Sequence, residues 1–107
     1  MAAPVFSTRF LAVHDQPALI KAEYVVPSSF LAVLRCIDVF YGGSLSAQTV
    51  LAYGSAGQVL WQETWAINLG GWRGWRGREV YYAGETIAIG GTDVMDFTAS
   101  GYLLTAS

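Results

Sequence analysis

Gln58-Val59-Leu60-Trp61-Gln62-Glu63-Thr64-Trp65 places Val59, Trp61 and Trp65 on one side of an extended chain and Gln58, Gln62 and Thr64 on the other. A repeat of two is the pattern of a half-buried β-strand. Val94-Met95-Asp96-Phe97-Thr98-Ala99 repeats it, with Met95, Phe97 and Ala99 facing one way and Asp96 and Thr98 the other. No segment carries a capped apolar stripe at helical spacing, so the whole chain reads as β.

Turn residues cut the chain at short intervals on both sides of that segment. Asp15-Gln16-Pro17 separates a first strand, Phe6 to His14, from a second, Leu19 to Val26, and Pro27-Ser28-Ser29 leads into a third, Phe30 to Tyr41. After Gly42-Gly43-Ser44 comes a fourth, Gln48 to Tyr53, and after Gly54-Ser55-Ala56-Gly57 the fifth. Leu69 to Gly77 reads as a loop, followed by Arg78 to Tyr82, Thr86 to Ile89 and a last strand or strand pair from Asp93 to Leu104. About eight short strands with polar or Gly-rich turns predict an antiparallel β-sandwich, jelly-roll-like, spanning residues 1–107 as one domain.

The third strand breaks the alternation. Leu31, Val33, Ile37 and Val39 fall on one side and Phe30, Ala32, Leu34 and Phe40 on the other, interrupted by Arg35 and Asp38. A strand of a two-layer domain normally shows one face to water. Its second apolar face therefore predicts a cover, from loops or from another subunit. Composition favours the subunit: 53% of the 107 residues are hydrophobic and only 13% charged, about half the 25% or so of an average domain.

The balance of charge excludes other classes. Six Lys and Arg against eight Asp and Glu leave a net charge of -2, without the basic stripe that nucleic acid binding requires. The longest uncharged stretch, Val39 to Gln62, is broken by glycine, serine and glutamine and cannot insert into a membrane as a helix. No basic leader precedes an apolar run at the N-terminus, so no export signal is expected. Cys36 is the sole cysteine. It can form no intramolecular disulfide and no multi-thiolate zinc site, which suits a reducing cytoplasm.

Catalysis requires a nucleophile, base or metal with partners in reach, and the inventory is short. His14 and Asp15 are neighbours, so on a regular strand they point to opposite faces unless the turn bends there. Cys36 lies in the middle of an apolar strand and reads as a small hydrophobe. The carboxylates come as Glu79 with Glu85 and Asp93 with Asp96, and Gly90-Gly91-Thr92-Asp93 is only faintly calcium-like. No catalytic residue, metal or cofactor is expected.

The local oddity is Gly70-Gly71-Trp72-Arg73-Gly74-Trp75-Arg76-Gly77-Arg78, with two indoles and three guanidiniums in nine residues. Trp and Arg are enriched at the energetic centres of interfaces, so an intersubunit contact is the first reading. A plug over one end of the sandwich and a carbohydrate platform are the others. Trp72, Arg73, Trp75, Arg76 and the aromatics Tyr81 and Tyr82, read as outward, are the candidate contact residues. Val5 to Val13 reads as an edge strand able to add to a neighbouring sheet.

The order of short motifs resembles a family. Tyr24-Val25-Val26-Pro27 runs through a polar turn into Ile37-Asp38-Val39-Phe40-Tyr41, then Gly77-Arg78-Glu79-Val80, Gly84-Glu85-Thr86-Ile87 and Ser100-Gly101-Tyr102-Leu103-Leu104. This order, from Tyr24 onward, is similar to that of small β-sandwich virion proteins of tailed bacteriophages, of the minor tail, tail-tip or capsid-decorating kind. The Trp-Arg-Gly loop stands outside that pattern, and Phe40-Tyr41 occupies a place where a polar turn is more usual. The resemblance implies a non-enzymatic structural subunit, assembled in the host cytoplasm and held in the virion among its own copies and other virion proteins. A minor tail or tail-tip place comes first and capsid decoration second. A module reading a host-surface glycan is the competing class. A small hydrolase built on His14 and Cys36 is the third.

Overall fold

The computed structural model describes residues 5–105, which form β1 (Val5–Gln16), β2 (Ala22–Val25), β3 (Phe30–Tyr41), β4 (Gln48–Tyr53), β5 (Val59–Trp65), β6 (Gly71–Tyr81), β7 (Thr86–Gly91) and β8 (Met95–Thr105). Among them no helix is long and apolar enough to cross a membrane. The strands build two antiparallel four-stranded sheets, ordered β1-β8-β3-β6 and β2-β7-β4-β5. Among the described residues only β4 and β5 follow one another within a sheet; every other connection crosses between sheets. That wrapping is the jelly-roll form of the antiparallel β-sandwich, the fold class the alternation predicts.

The irregular alternation of β3 is a bulge. Between Leu34 and Cys36 the register slips against both neighbours: against β8 Arg35 is an extra, exposed residue, and against β6 the extra residue is on β6, where Gly77 and Arg78 stand opposite Arg35. An inserted residue reverses the sense of the alternation. Ala32 and Leu34 before it, and Ile37, Val39 and Tyr41 after it, consequently all reach the core. The two apolar faces of the sequence reading are therefore largely one face, and the outer side keeps Leu31, Val33, Cys36, Asp38 and Phe40. Against β3 lie Phe97 and Ala99 of β8, and across the sandwich Val50, Trp65, Ile87 and Ile89 complete the core. Tyr41 and Trp65 meet edge to face, with ring centroids 5.4 Å apart, a geometry that favours aromatic pairs.

Several expectations are corrected. The segment Leu69 to Gly77 is no loop: from Gly71 it belongs to β6, paired with β3. Its glycines mark close approaches, since a Cβ at Gly74 would lie 2.9 Å from the Ile37 carbonyl oxygen and one at Gly77 would lie 2.6 Å from the Trp75 ring. β1 runs on to Gln16, through a register shift in which Asp15 takes a left-handed φ of 55°. β2 starts only at Ala22, because Leu19 is also left-handed and Ile20 N–H closes a turn onto the Pro17 carbonyl. Val59 is exposed, unlike Trp61 and Trp65, because the register slips between Ala52 and Tyr53.

Candidate interaction surface

β1 and β6 are the edges of the first sheet, so the expected N-terminal edge strand and the Trp/Arg segment border the same sheet on opposite sides. Along β6 side chains alternate. Trp75 and Arg73 pair with Ile37 and Val39 and share their core side; Trp72 and Arg76 pair with Phe40 and Cys36 on the outer side. Trp75 packs half-buried against the core. The Arg73 guanidinium lies 5.7 Å from the centre of the Trp65 ring, closing the seam between β5 and β6.

Trp72 remains 67% exposed although its ring tilts against Phe40 at 5.2 Å. Arg76 donates from Nη2 to Asp38 Oδ1 at 2.9 Å and from Nη1 to the Ile37 and Trp75 carbonyls at 3.2 and 3.0 Å. The Asp38 hydrogen bond and charge hold the Arg76 guanidinium above its ordinary pKa. Tyr82 is exposed, but Tyr81 is not outward: it is a core residue whose hydroxyl donates to the Tyr53 carbonyl at 2.7 Å. Neighbours on a strand cannot share a face. Burial, with the charges of Glu79 and Glu85, pushes the Tyr81 phenol far above its usual range. The two indoles of the segment thus lie on opposite faces and form no shared carbohydrate platform.

The end of the molecule that bears Trp72 and Phe40 is apolar more widely. Asn68 N–H donates to the Ser44 carbonyl at 2.7 Å and ties the β5–β6 connection to the β3–β4 connection. These tied loops hold Leu45, Ile67 and Leu69, which are 85%, 59% and 55% exposed.

A polar constellation lies at the same end of the sheet. The bend at Asp15 brings His14 and Asp15 together, and the partner that sequence reasoning missed is Asp96. His14 Nδ1 stands 2.9 Å from Asp96 Oδ1 and Nε2 stands 3.2 Å from Asp15 Oδ2, while Asp15 N–H donates to Asp96 Oδ1 at 2.9 Å. One nitrogen and two carboxylates within 4.8 Å of one another offer ligands to a divalent cation. They border an open cleft of about 320 Å³ that also meets Phe40, Gly43 and Asp93. Only a structure could reveal the grouping, because it depends on a left-handed residue and on the β1–β8 register.

Asp93 turns elsewhere, accepting from the Tyr41 hydroxyl at 2.7 Å and from Val94 N–H at 2.8 Å. The Asp93–Asp96 pair thus forms no common calcium loop. Cys36 sits against Ser100, its Sγ 2.8 Å from Oγ. From Asp96 to Ser100 along β8 is about 13 Å at ~3.3 Å per residue, so Cys36 and His14 form no nucleophile–base pair. A concavity of about 410 Å³ on the outer face of the second sheet is an open groove beside Lys21, Glu23, Tyr53 and Thr86. Lys21 Nζ lies 4.8 Å over the Tyr53 ring there.

Compared with known protein families, curated proteins and solved structures, the chain matches none.

Proposed function

We propose that the chain is a non-enzymatic structural subunit of a bacteriophage particle, a minor tail or tail-tip protein that assembles through apolar and Trp/Arg-rich surface. One observation carries the reading. Trp72 stays 67% exposed at an apolar end shared with Leu45, Ile67 and Leu69. A fully buried indole covers about 150–250 Å², so the part of Trp72 still exposed is worth about 2.5–4 kcal/mol at roughly 25 cal/mol per Å² before the costs of association. Arg76 meets a partner as half of an ion pair with Asp38, so docking there does not strip a lone charge of water. The motif order from Tyr24 to Leu104 supports the phage setting, and the separation of His14 from Cys36 removes support from a hydrolase.

A capsid-decorating role would use the same surface on another part of the particle. Mass spectrometry of purified heads and tails distinguishes the two. The chain is expected among tail proteins at stoichiometric amount. Recovery with heads alone assigns it to decoration, and absence from purified particles overturns the proposal.

A further inference from the structure

We infer that a second copy of this chain docks head to tail on the first, its β1 edge pairing with the β6 edge so that the β1-β8-β3-β6 sheet continues from copy to copy. The inference rests on the structural-subunit reading and names its contact.

Strand direction makes the first argument. Each pairing from β1 through β8 and β3 to β6 is antiparallel, so the two edges run in opposite directions. A copy rotated about an axis along the strands therefore presents β1 antiparallel to β6, with no strand reversed. Both edges are long, at 12 and 11 residues. The edges of the other sheet are shorter: β2 has 4 residues and β5 has 7, with Glu63 opposite core-facing Val50.

Height along the sheet makes the second. The register puts Ser7, Tyr102, Val33 and Val80 in one row, and Leu11, Ala99, Ile37 and Trp75 in another. The irregularities of β3 and β6 and the first of β1, between Arg9 and Leu11, lie between these rows, so both edges kink at similar height there; β1 shifts register once more beyond them, between Val13 and Gln16.

Charge makes the third. β6 carries Arg73, Arg76 and Arg78, which a two-fold β6–β6 contact would crowd together. The C-terminal end of β1 carries Asp15, in contact through His14 with Asp96, and Asp96 is level with Phe40 and Trp72. Head-to-tail pairing brings this acidic end to the Trp72–Arg73 end of the next copy. Arg9 comes level with Arg76, whose charge Asp38 already meets. A contact between unlike edges leaves one edge free at each end, so assembly proceeds copy by copy, ending where the rotation closes a ring and running on as a filament where it does not.

Cross-linking tests it. In a Cys36→Ser chain, Ser7→Cys and Val80→Cys place thiols on matching rows of the two edges, where strand pairing brings Cα atoms within disulfide range. Circular dichroism of the reduced proteins checks the fold, and Arg9→Cys with Arg76→Cys supplies a second pair on a neighbouring row. On mild oxidation the double variant should form a ladder of dimers, trimers and larger species. A mixture of the two single variants should stop at one heterodimer. If Ser7→Cys alone dimerises as fully as the double variant, the contact is two-fold and the inference fails. If a protein that associates by light scattering gives no cross-link with either pair, the edges are not the contact, while the structural-subunit reading stands. If the unmodified chain does not associate at all, both fall.

Discussion

Tyr41 packs its ring against Trp65 and donates its hydroxyl to Asp93 at the bottom of the sandwich. That hydrogen bond, followed by the one from Val94 N–H, holds the Asp93 carboxyl below the usual aspartate range. A depressed carboxyl pKa contributes stability that is present above the unfolded value and lost as pH falls through the folded one. Burial moves Tyr41 the other way, upward from its ordinary value, so its contribution is lost only when pH rises through that raised value. Tyr41→Phe should return Asp93 toward the ordinary range in a carboxyl-carbon NMR titration and shift acid unfolding to a less acidic midpoint. An unchanged Asp93 titration would contradict the assignment. Trp65 is fully buried, yet its Nε1–H finds no acceptor among the described residues. An unpaired buried donor costs about 1–3 kcal/mol. Trp65→Phe relieves that cost while leaving a smaller cavity, so denaturant unfolding should show a net change within about 1 kcal/mol, against the roughly 3–5 kcal/mol expected of Trp65→Ala.

Strands whose alternation is unbroken were legible in the sequence. Met95, Phe97 and Ala99 face the core as their spacing requires, and β3 and β4 begin and end where their turn residues place them. The illegible parts are those where a neighbouring strand, not local chemistry, sets the backbone. The bulge at Arg35 and the left-handed Asp15 come from fitting long strands to β8, and the glycines of β6, which read as a loop, make room for Ile37 and Trp75. For the same reason two of six candidate contacts, Trp75 and Tyr81, are drawn into the core, whereas Trp72, Arg73, Arg76 and Tyr82 are exposed, Arg73 from the core-side row of β6. Gly101 is the sharpest case, since a Cβ there would run into the Val33 carbonyl oxygen across the β3–β8 pair. Gly101→Ala should cost about 3 kcal/mol in denaturant unfolding. Gly42→Ala, which meets nothing within 4 Å, should stay within about 0.5 kcal/mol. Equal effects would mean that the close approach at the bulge does not hold the two strands together.

The molecule measures 54 × 20 × 19 Å. The core runs between the sheets, while the Trp72 end gathers exposed apolar side chains and the His14–Asp15–Asp96 cluster. With 13% charged residues, the surface has little solvated charge with which to hold copies apart. The longer sheet ends in two long edges of opposite direction, β1 with Asp15 at its C-terminal end and β6 with Arg73 near the same height, which is the geometry the proposed head-to-tail contact uses. Sedimentation equilibrium of the unmodified chain, from micromolar to millimolar concentration, tests this most directly. The predicted result is a mass that rises with concentration to discrete multiples of 11.6 kDa and falls back on adding salt, as screening weakens the Arg–Asp complementarity. A single species of 11.6 kDa throughout that range would contradict it.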